Sequence, residues 1–72
     1  MTERQTVRNF YGKILGYIDV DKNTGNKVAY NFYNKILGKY FAKENITKDV
    51  YNKILASGDI TSALVYNSEN KQ

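Results

Sequence analysis

The stretch that decides the fold reads Asn9-Phe10-Tyr11-Gly12-Lys13-Ile14-Leu15-Gly16. The phrase returns as Asn31-Phe32-Tyr33-Asn34-Lys35-Ile36-Leu37-Gly38 and as Asp49-Val50-Tyr51-Asn52-Lys53-Ile54-Leu55-Ala56. Tyr, Lys, Ile and Leu are identical in the three copies, and the other four positions vary within narrow classes. The repeat therefore predicts one structural unit that is used three times.

The fourth position of the repeat, which is Gly12, Asn34 or Asn52, indicates a turn. Gly and Asn share a tolerance for a positive φ angle, which other residues adopt at a steric cost. The first position is Asn or Asp, which favours the start of a type I turn. A type I turn followed by a left-handed residue is the three-residue hairpin connection with a bulge. Each copy is therefore predicted to be a β-hairpin.

These turns predict an all-β fold, an antiparallel meander of about six short strands built from three repeated hairpins. Further turns are expected at 21–26 and 42–45, with Asn45 left-handed. Asp59 is expected to cap a short C-terminal helix that runs to Tyr66, and a last strand over the same residues is the alternative. The predicted organisation is a disordered N-terminus at 1–5, a single repeat-built domain at 6–66 and a polar tail at 67–72.

A small all-α three-helix bundle is the alternative fold, because Tyr33, Ile36 and Leu37 also fall at helical spacing. In that fold Gly12 and Gly16 would lie one turn apart inside a helix, at about 1 kcal/mol each relative to Ala. The repeat places Asn mid-helix as well, where its side chain competes for backbone hydrogen bonds. The turn chemistry favours the hairpins.

Simple alternation along the strand after the first turn places Ile14, Gly16 and Ile18 on one face and Leu15 and Tyr17 on the other. In the three copies an Ile row and a Leu row then occupy opposite faces, so both faces need a cover. Either the C-terminal segment or a second copy of the chain supplies it. The small residue after each Leu suggests a bulge, or an aromatic ring that packs over a gap. The Leu row is the candidate self-association face, and it consists of Leu15, Leu37 and Leu55.

A chain of 72 residues can bury only a small core. Without Cys or His it also lacks the disulfides and structural metal sites that stabilise many small domains. Self-association, with a homodimer as the expected oligomer, would compensate for the small core. The first residues carry no apolar signal segment and no apolar run approaches the length of a membrane span, so a cytoplasmic location without membrane partners is expected.

The composition argues against catalysis. The chain contains no His, the commonest general base, and no Cys, the softest nucleophile. We expect no enzyme activity, no cofactor and no metal. A calcium loop at 19–25 was considered, but Thr24 and Tyr30 stand where an EF-hand needs Gly and Glu. An ordinary hairpin turn fits better.

The tyrosines and lysines of the repeat form the candidate binding row. If the hairpins stack in register, aromatic rings and cations line one edge. Such a row can close the ends of the core or bind another protein. It can also stack bases and contact phosphates of single-stranded nucleic acid, and the net charge of +4 gives this third interpretation weak support. The row consists of Tyr11, Lys13, Tyr33, Lys35, Tyr51 and Lys53.

The phrase resembles the short Asp-Phe-Tyr-Gly-Arg/Lys-Ile-x-Gly hairpin repeats of small bacterial proteins without an assigned function. The resemblance covers residues of about 6 to 59 and implies a β-rich fold, with Asn34 and Asn52 departing from the commoner Gly. It implies no activity. The expected role is therefore a small protein-interaction or structural module that self-associates, and the alternative is a small nucleic-acid-binding protein that uses the Tyr/Lys row.

Overall fold

The chain folds as a six-stranded antiparallel meander with one helix packed on it. The structure, a computed structural model, describes residues 2–70, with the side chains of residues 69 and 70 left outside the description. Neighbours in sequence are neighbours in the sheet, so the predicted all-β meander is confirmed and the three-helix alternative is wrong. The elements are β1 Thr2–Arg8, β2 Ile14–Asp21, β3 Lys27–Asn31, β4 Ile36–Phe41, β5 Ile46–Asp49, β6 Ile54–Ser57 and α1 Thr61–Asn70.

Among the described residues, regular structure extends past both bounds of the domain predicted at 6–66. β1 begins at Thr2, where a disordered segment was expected at 1–5, because the long β2 offers pairing partners as far as Asp21. α1 continues to Asn70, through the first part of the tail expected at 67–72. Residues 1, 71 and 72 lie outside the described residues.

The turns divide between the two ends of the sheet. The three repeated turns connect β1 to β2, β3 to β4 and β5 to β6, so a meander places all three at one end. The other two turns lie at the opposite end, with Gly25 at φ 81° and Asn45 at φ 55°. Both turns, and the left-handed Asn45, had been predicted.

A bulge in each repeat overturns the simple alternation of faces. Val7 is opposite Gly16 while Arg8 is opposite Ile14, so Leu15 is an extra residue in β2. The register shifts in the same way at Leu37 and at Leu55. The bulge hinted at by the small residues is therefore present. It places Leu15 in one core cluster with Ile18, so the expectation of opposite faces for these two residues is wrong.

The helix α1 covers the sheet face that the Leu residues reach. Its main contacts are with β2, β3 and β4. Val65, fully buried, packs with Leu15, Ile18 and Ala29 to form the core, and partly buried apolar side chains surround them. Of the two covers considered for this face, the C-terminal segment supplies one. The surrounding side chains are Val7, Val20, Leu37 and Leu64.

Long-range polar contacts fix where α1 begins. Asp59 Oδ1 accepts hydrogen bonds from Thr61 N at 3.0 Å and from Thr61 Oγ1 at 2.6 Å, which is the predicted cap. Lys27 Nζ lies 2.5 Å from Asp59 Oδ2. The fully buried Thr47 donates to Gly58 O at 2.7 Å and accepts from Ile60 N at 3.2 Å. The start of the helix is thus tied to β3 and β5.

The small residue after each bulge is explained by its neighbours. A Cβ at Gly38 would lie 2.7 Å from Leu64 Cδ1 of α1 and 2.7 Å from Lys48 O of β5. A Cβ at Gly16 would meet Val65 and Tyr30 O of β3 in the same way. Ala56 occupies the third equivalent position on β6, the last strand of the sheet, where the next strand is missing. The third copy can therefore carry a methyl group that the first two cannot.

The variant Gly38→Ala tests this packing. We expect it to lower the free energy of unfolding by about 1 to 3 kcal/mol, because the added methyl group overpacks a strand–helix contact. The measurement is urea unfolding followed by circular dichroism. Ala56→Gly is the matched control, and it should cost no more than about 1 kcal/mol from added chain entropy. Equal stability of Gly38→Ala and the wild type would contradict the explanation.

The cap at Asp59 predicts a loss of stability in acid. Burial raises the pKa of Asp59, but the hydrogen bonds from Lys27 and Thr61 outweigh it and hold the pKa below its ordinary value of 3.8. The ionised carboxylate therefore stabilises the fold above that value, and the contribution is lost as pH falls through the lowered pKa. Wild type should lose more unfolding free energy on acidification than Asp59→Asn, by at most about 1 kcal/mol at this half-exposed pair.

The measurement is a series of urea titrations from neutral pH to below the ordinary carboxyl range. Glu44→Gln, in the exposed turn between β4 and β5, is the control and should leave the pH profile unchanged. Parallel profiles for the wild type and Asp59→Asn would show that the carboxylate contributes nothing.

Candidate functional site

One acceptor side chain organises each of the three repeated turns. Asn9 Oδ1 accepts hydrogen bonds from Tyr11 N at 2.8 Å and from Lys13 N at 3.0 Å. Asn31 and Asp49 repeat this pair of bonds at 2.8 and 2.9 Å. The exchange of Asn for Asp leaves the geometry intact, because only the Oδ1 acceptor is used.

The fourth residue of each turn is left-handed, as its composition predicted. Gly12 has φ 83°, Asn34 has φ 65° and Asn52 has φ 69°. The amide of each donates to the carbonyl of the first residue of its turn at 3.0 Å. Three turns of different sequence are therefore held in one conformation by the same backbone and side-chain bonds.

The two residues at the apex of each turn extend into solvent, and we call these six residues the tip row. Tyr11, Tyr33 and Tyr51 are 88, 84 and 87% exposed. The hairpins are two strands apart, so successive tips are about 10 Å apart, and the sheet twist turns each tip relative to the last. The tip row consists of Phe10, Tyr11, Phe32, Tyr33, Val50 and Tyr51.

The structure brings the predicted binding row to one end of the sheet and excludes one of its three interpretations. Tyrosines this exposed do not close the ends of the core. Lys13, Lys35 and Lys53 follow the three tips and are exposed as well.

The aromatic rings at two of the tips are ordered against each other. Phe10 and Tyr11 meet edge to face, with ring centroids 5.5 Å apart and planes at 82°. Phe32 and Tyr33 do the same at 5.4 Å and 85°. Such edge-to-face pairs are favourable contacts between the two apex side chains of one turn.

The candidate self-association face is mostly covered within one chain. Leu15 is 3% exposed, beneath α1, and Leu37 is half-buried. Leu55 is 40% exposed because α1 has few contacts with β6. It lines a groove with Leu37, Ile60 and Leu64. Only the outer end of the predicted face is therefore available to a second copy.

A cluster that could not be predicted from the sequence lies on the open face of the sheet, the face opposite α1. Arg4 pairs with Asp19 through Nε–Oδ1 at 2.7 Å and through a second nitrogen to Oδ2 at 3.1 Å. Its guanidinium lies 5.0 Å from the ring centroid of Tyr17 and 5.2 Å from that of Tyr30. The hydrogen bond to Asp19 raises the pKa of Arg4. The cluster joins β1, β2 and β3.

A second unforeseen feature is an apolar and basic area on the open face of β4, β5 and β6, which we call the open-face patch. Lys39 is directly opposite Lys48, and Lys48 is directly opposite Ile54, so these side chains share a face. The strand register that brings them together could not be read from the sequence. The patch consists of Ile36, Lys39, Phe41, Lys48, Val50 and Ile54.

The segment considered as a calcium loop is a hydrogen-bonded turn. Asp21 Oδ1 accepts from Asn23 N at 2.9 Å, and Gly25 N donates to Asp21 O at 2.7 Å. The bond from Asn23 lowers the pKa of Asp21. Within residues 2–70 no three acidic, His or Cys side chains cluster as metal ligands would. The one helix of this part of the chain is too short and too polar to cross a membrane.

No protein-family model, curated protein or solved structure matches this chain. The resemblance to bacterial hairpin repeats therefore depends on the repeated phrase alone and stays a prediction. The functional argument has to come from the surface of the molecule.

The turn geometry predicts opposite effects of two substitutions at Asn52, whose left-handed backbone strains most side chains. Asn52→Ala should lower the unfolding free energy by about 1 kcal/mol, because Ala pays the left-handed penalty in full. Asn52→Gly should stay within about 0.5 kcal/mol of the wild type. The measurement is urea unfolding of the three proteins side by side. A loss as large for Gly as for Ala would mean that the Asn side chain, rather than its backbone, is what matters.

Proposed function

We propose that this protein is a small protein-interaction module that binds a partner protein through the tip row. The observation that supports this most directly is the exposure of five aromatic rings at one end of the sheet, four of them 84% exposed or more. Rings so exposed add almost nothing to the stability of the fold. Tyr and Phe are enriched at the centres of protein interfaces, where they bury a large area with few rotatable bonds.

The rigidity of the turns favours the same function. Each tip is held by two bonds to an Asn or Asp side chain and by two backbone bonds. A partner that binds such a tip orders little further backbone, which lowers the entropic cost of association. Three tips at a fixed spacing add their contacts without three separate ordering costs.

Single-stranded nucleic acid is the second candidate ligand of the tip row, because a lysine follows every tip by two residues. Exposed rings beside cations can stack bases and contact phosphates. One feature favours a protein instead. The third tip carries Val50, which has no π face.

Self-association and a cytoplasmic location are further parts of the proposal. The helix α1 covers most of the Leu row from which the sequence predicts a dimer. What supports a dimer is the exposed Leu55 with its groove and the small core of the single chain.

Cross-linking from the tips tests the proposed function. A photo-activatable amino acid in place of Tyr33 should give discrete protein adducts in cells, while the same residue at Thr24, in a turn at the opposite end, should not. Changing Tyr11 and Tyr51 to Ser should reduce the Tyr33 adducts. The fold should survive, since exposed sites change stability by about 0.5 kcal/mol or less each.

Two results would decide against a protein partner. One is the absence of protein adducts from Tyr33. The other is a fluorescence-anisotropy titration in which a single-stranded oligonucleotide binds the wild type but not the tyrosine variants, with affinity that falls steeply as salt rises. That second result would establish the nucleic-acid function.

A further inference from the structure

The cations of this protein are unevenly distributed over the sheet. On β1 and in the β2–β3 turn, Arg4 pairs with Asp19 at 2.7 Å and Lys22 with Glu3 at 3.7 Å, while Arg8 donates to Gly12 O at 2.9 Å. Among the side chains that the structure describes, five lysines on β4, β5 and β6 or in the turns beside them make no ion pair. They are Lys35, Lys39, Lys43, Lys48 and Lys53. This half of the sheet therefore carries uncompensated positive charge.

Two of these lysines oppose each other directly. Lys39 of β4 and Lys48 of β5 are cross-strand partners on the open face. Like charges in this arrangement destabilise a sheet. The described acidic groups do not relieve the repulsion, and Lys48 Nζ has only the Phe41 ring, 5.3 Å away, as a partner. A bound anion would relieve it.

Apolar side chains are exposed in the same area. Ile54 is 60% exposed, Val50 is 53% exposed and Ile36 is 38% exposed. Ile36, Phe41 and Val50 line a shallow depression together with Lys39, Asp49 and Asn52. Asp49 is the one carboxylate there, and its Oδ1 is already bonded to the amides of its own turn. The depression therefore combines three apolar side chains with Lys39 and Asp49, and Lys48 lies next to it as the cross-strand partner of Lys39.

We propose that the open-face patch binds an acidic, apolar segment of a partner protein. Carboxylates of the segment lie between Lys39 and Lys48, and an apolar side chain occupies the depression of Ile36, Phe41 and Val50. This inference rests on the proposed protein-interaction function and names the chemistry of the partner. The third tip is continuous with the patch through Val50, so one partner can contact both.

The composition of the patch favours a polypeptide over nucleic acid. Three of its four apolar side chains are aliphatic and offer no π face to a base. The one aromatic ring, Phe41, has Lys48 over it. Aliphatic anchors flanked by charges are what a protein segment with mixed acidic and apolar residues matches.

Selection from a random peptide library, displayed on phage against the full chain, tests the inference. We expect enriched peptides that combine Asp or Glu with Leu, Ile or Phe. Lys39→Glu with Lys48→Glu should weaken their binding about tenfold or more, as the loss of two half-exposed ion pairs implies. Lys43→Glu, in the turn at the opposite end, is the matched control and should leave the affinity nearly unchanged. Chemical shifts of the wild type should move at Lys39, Phe41, Lys48 and Ile54 on titration with an enriched peptide.

The possible failures are distinguishable. Enriched peptides that tolerate the Lys39/Lys48 variant but lose binding when Tyr33 and Tyr51 become Ser would overturn the patch and leave the proposed function standing. Enrichment of basic or uncharged peptides at the patch would overturn the acidic partner. If an oligonucleotide shifts the patch resonances more strongly than any peptide does, the ligand of the open-face patch is a nucleic acid and not a polypeptide. No enrichment, together with no protein adducts at Tyr33, would overturn both proposals.

Discussion

The bulge that inserts one Leu into β2, β4 and β6 is the constraint on which the rest of the structure depends. An extra residue turns Leu15 toward the same side as Ile18, so the strand presents two consecutive positions to the core. That side then carries enough apolar surface to hold α1. The same distortion brings the following residue against a helix side chain and a carbonyl of the next strand, which is why Gly stands at 16 and 38.

The turns and the order of the strands were readable from the sequence, and the register of the strands was not. The exchange of Gly for Asn at one repeat position, with Asn or Asp three residues earlier, identified the three repeated hairpins, because both signals act within four residues. The faces of the strands were misassigned at Leu15, since strict alternation assumes a ladder without an inserted residue. The ends of the chain were also misjudged. Whether β1 reaches back to Thr2 depends on its partner in β2, which lies far away in the sequence.

Of the two candidate surfaces, one could be predicted from the sequence and the other could not. The exposed tyrosines could be placed because they are part of the turns themselves. The open-face patch could not, because Lys39 meets Lys48 only through the register of β4 and β5. The start of α1 is an intermediate case. Asp59 was identified as a cap from its position, but the contacts that decide between helix and strand come from Thr47 and Lys27.

In each repeated turn, the residues that stabilise the backbone differ from the residues whose side chains are exposed at the tip. The acceptor at the first position and the left-handed residue at the fourth fix the backbone, and the two apex side chains form no hydrogen bond in the turn. Substitutions at the apex are therefore free of the constraints that keep the scaffold folded. In evolutionary terms, such a protein can change the surface that its tips present by altering six residues, one hairpin at a time, while its fold stays the same.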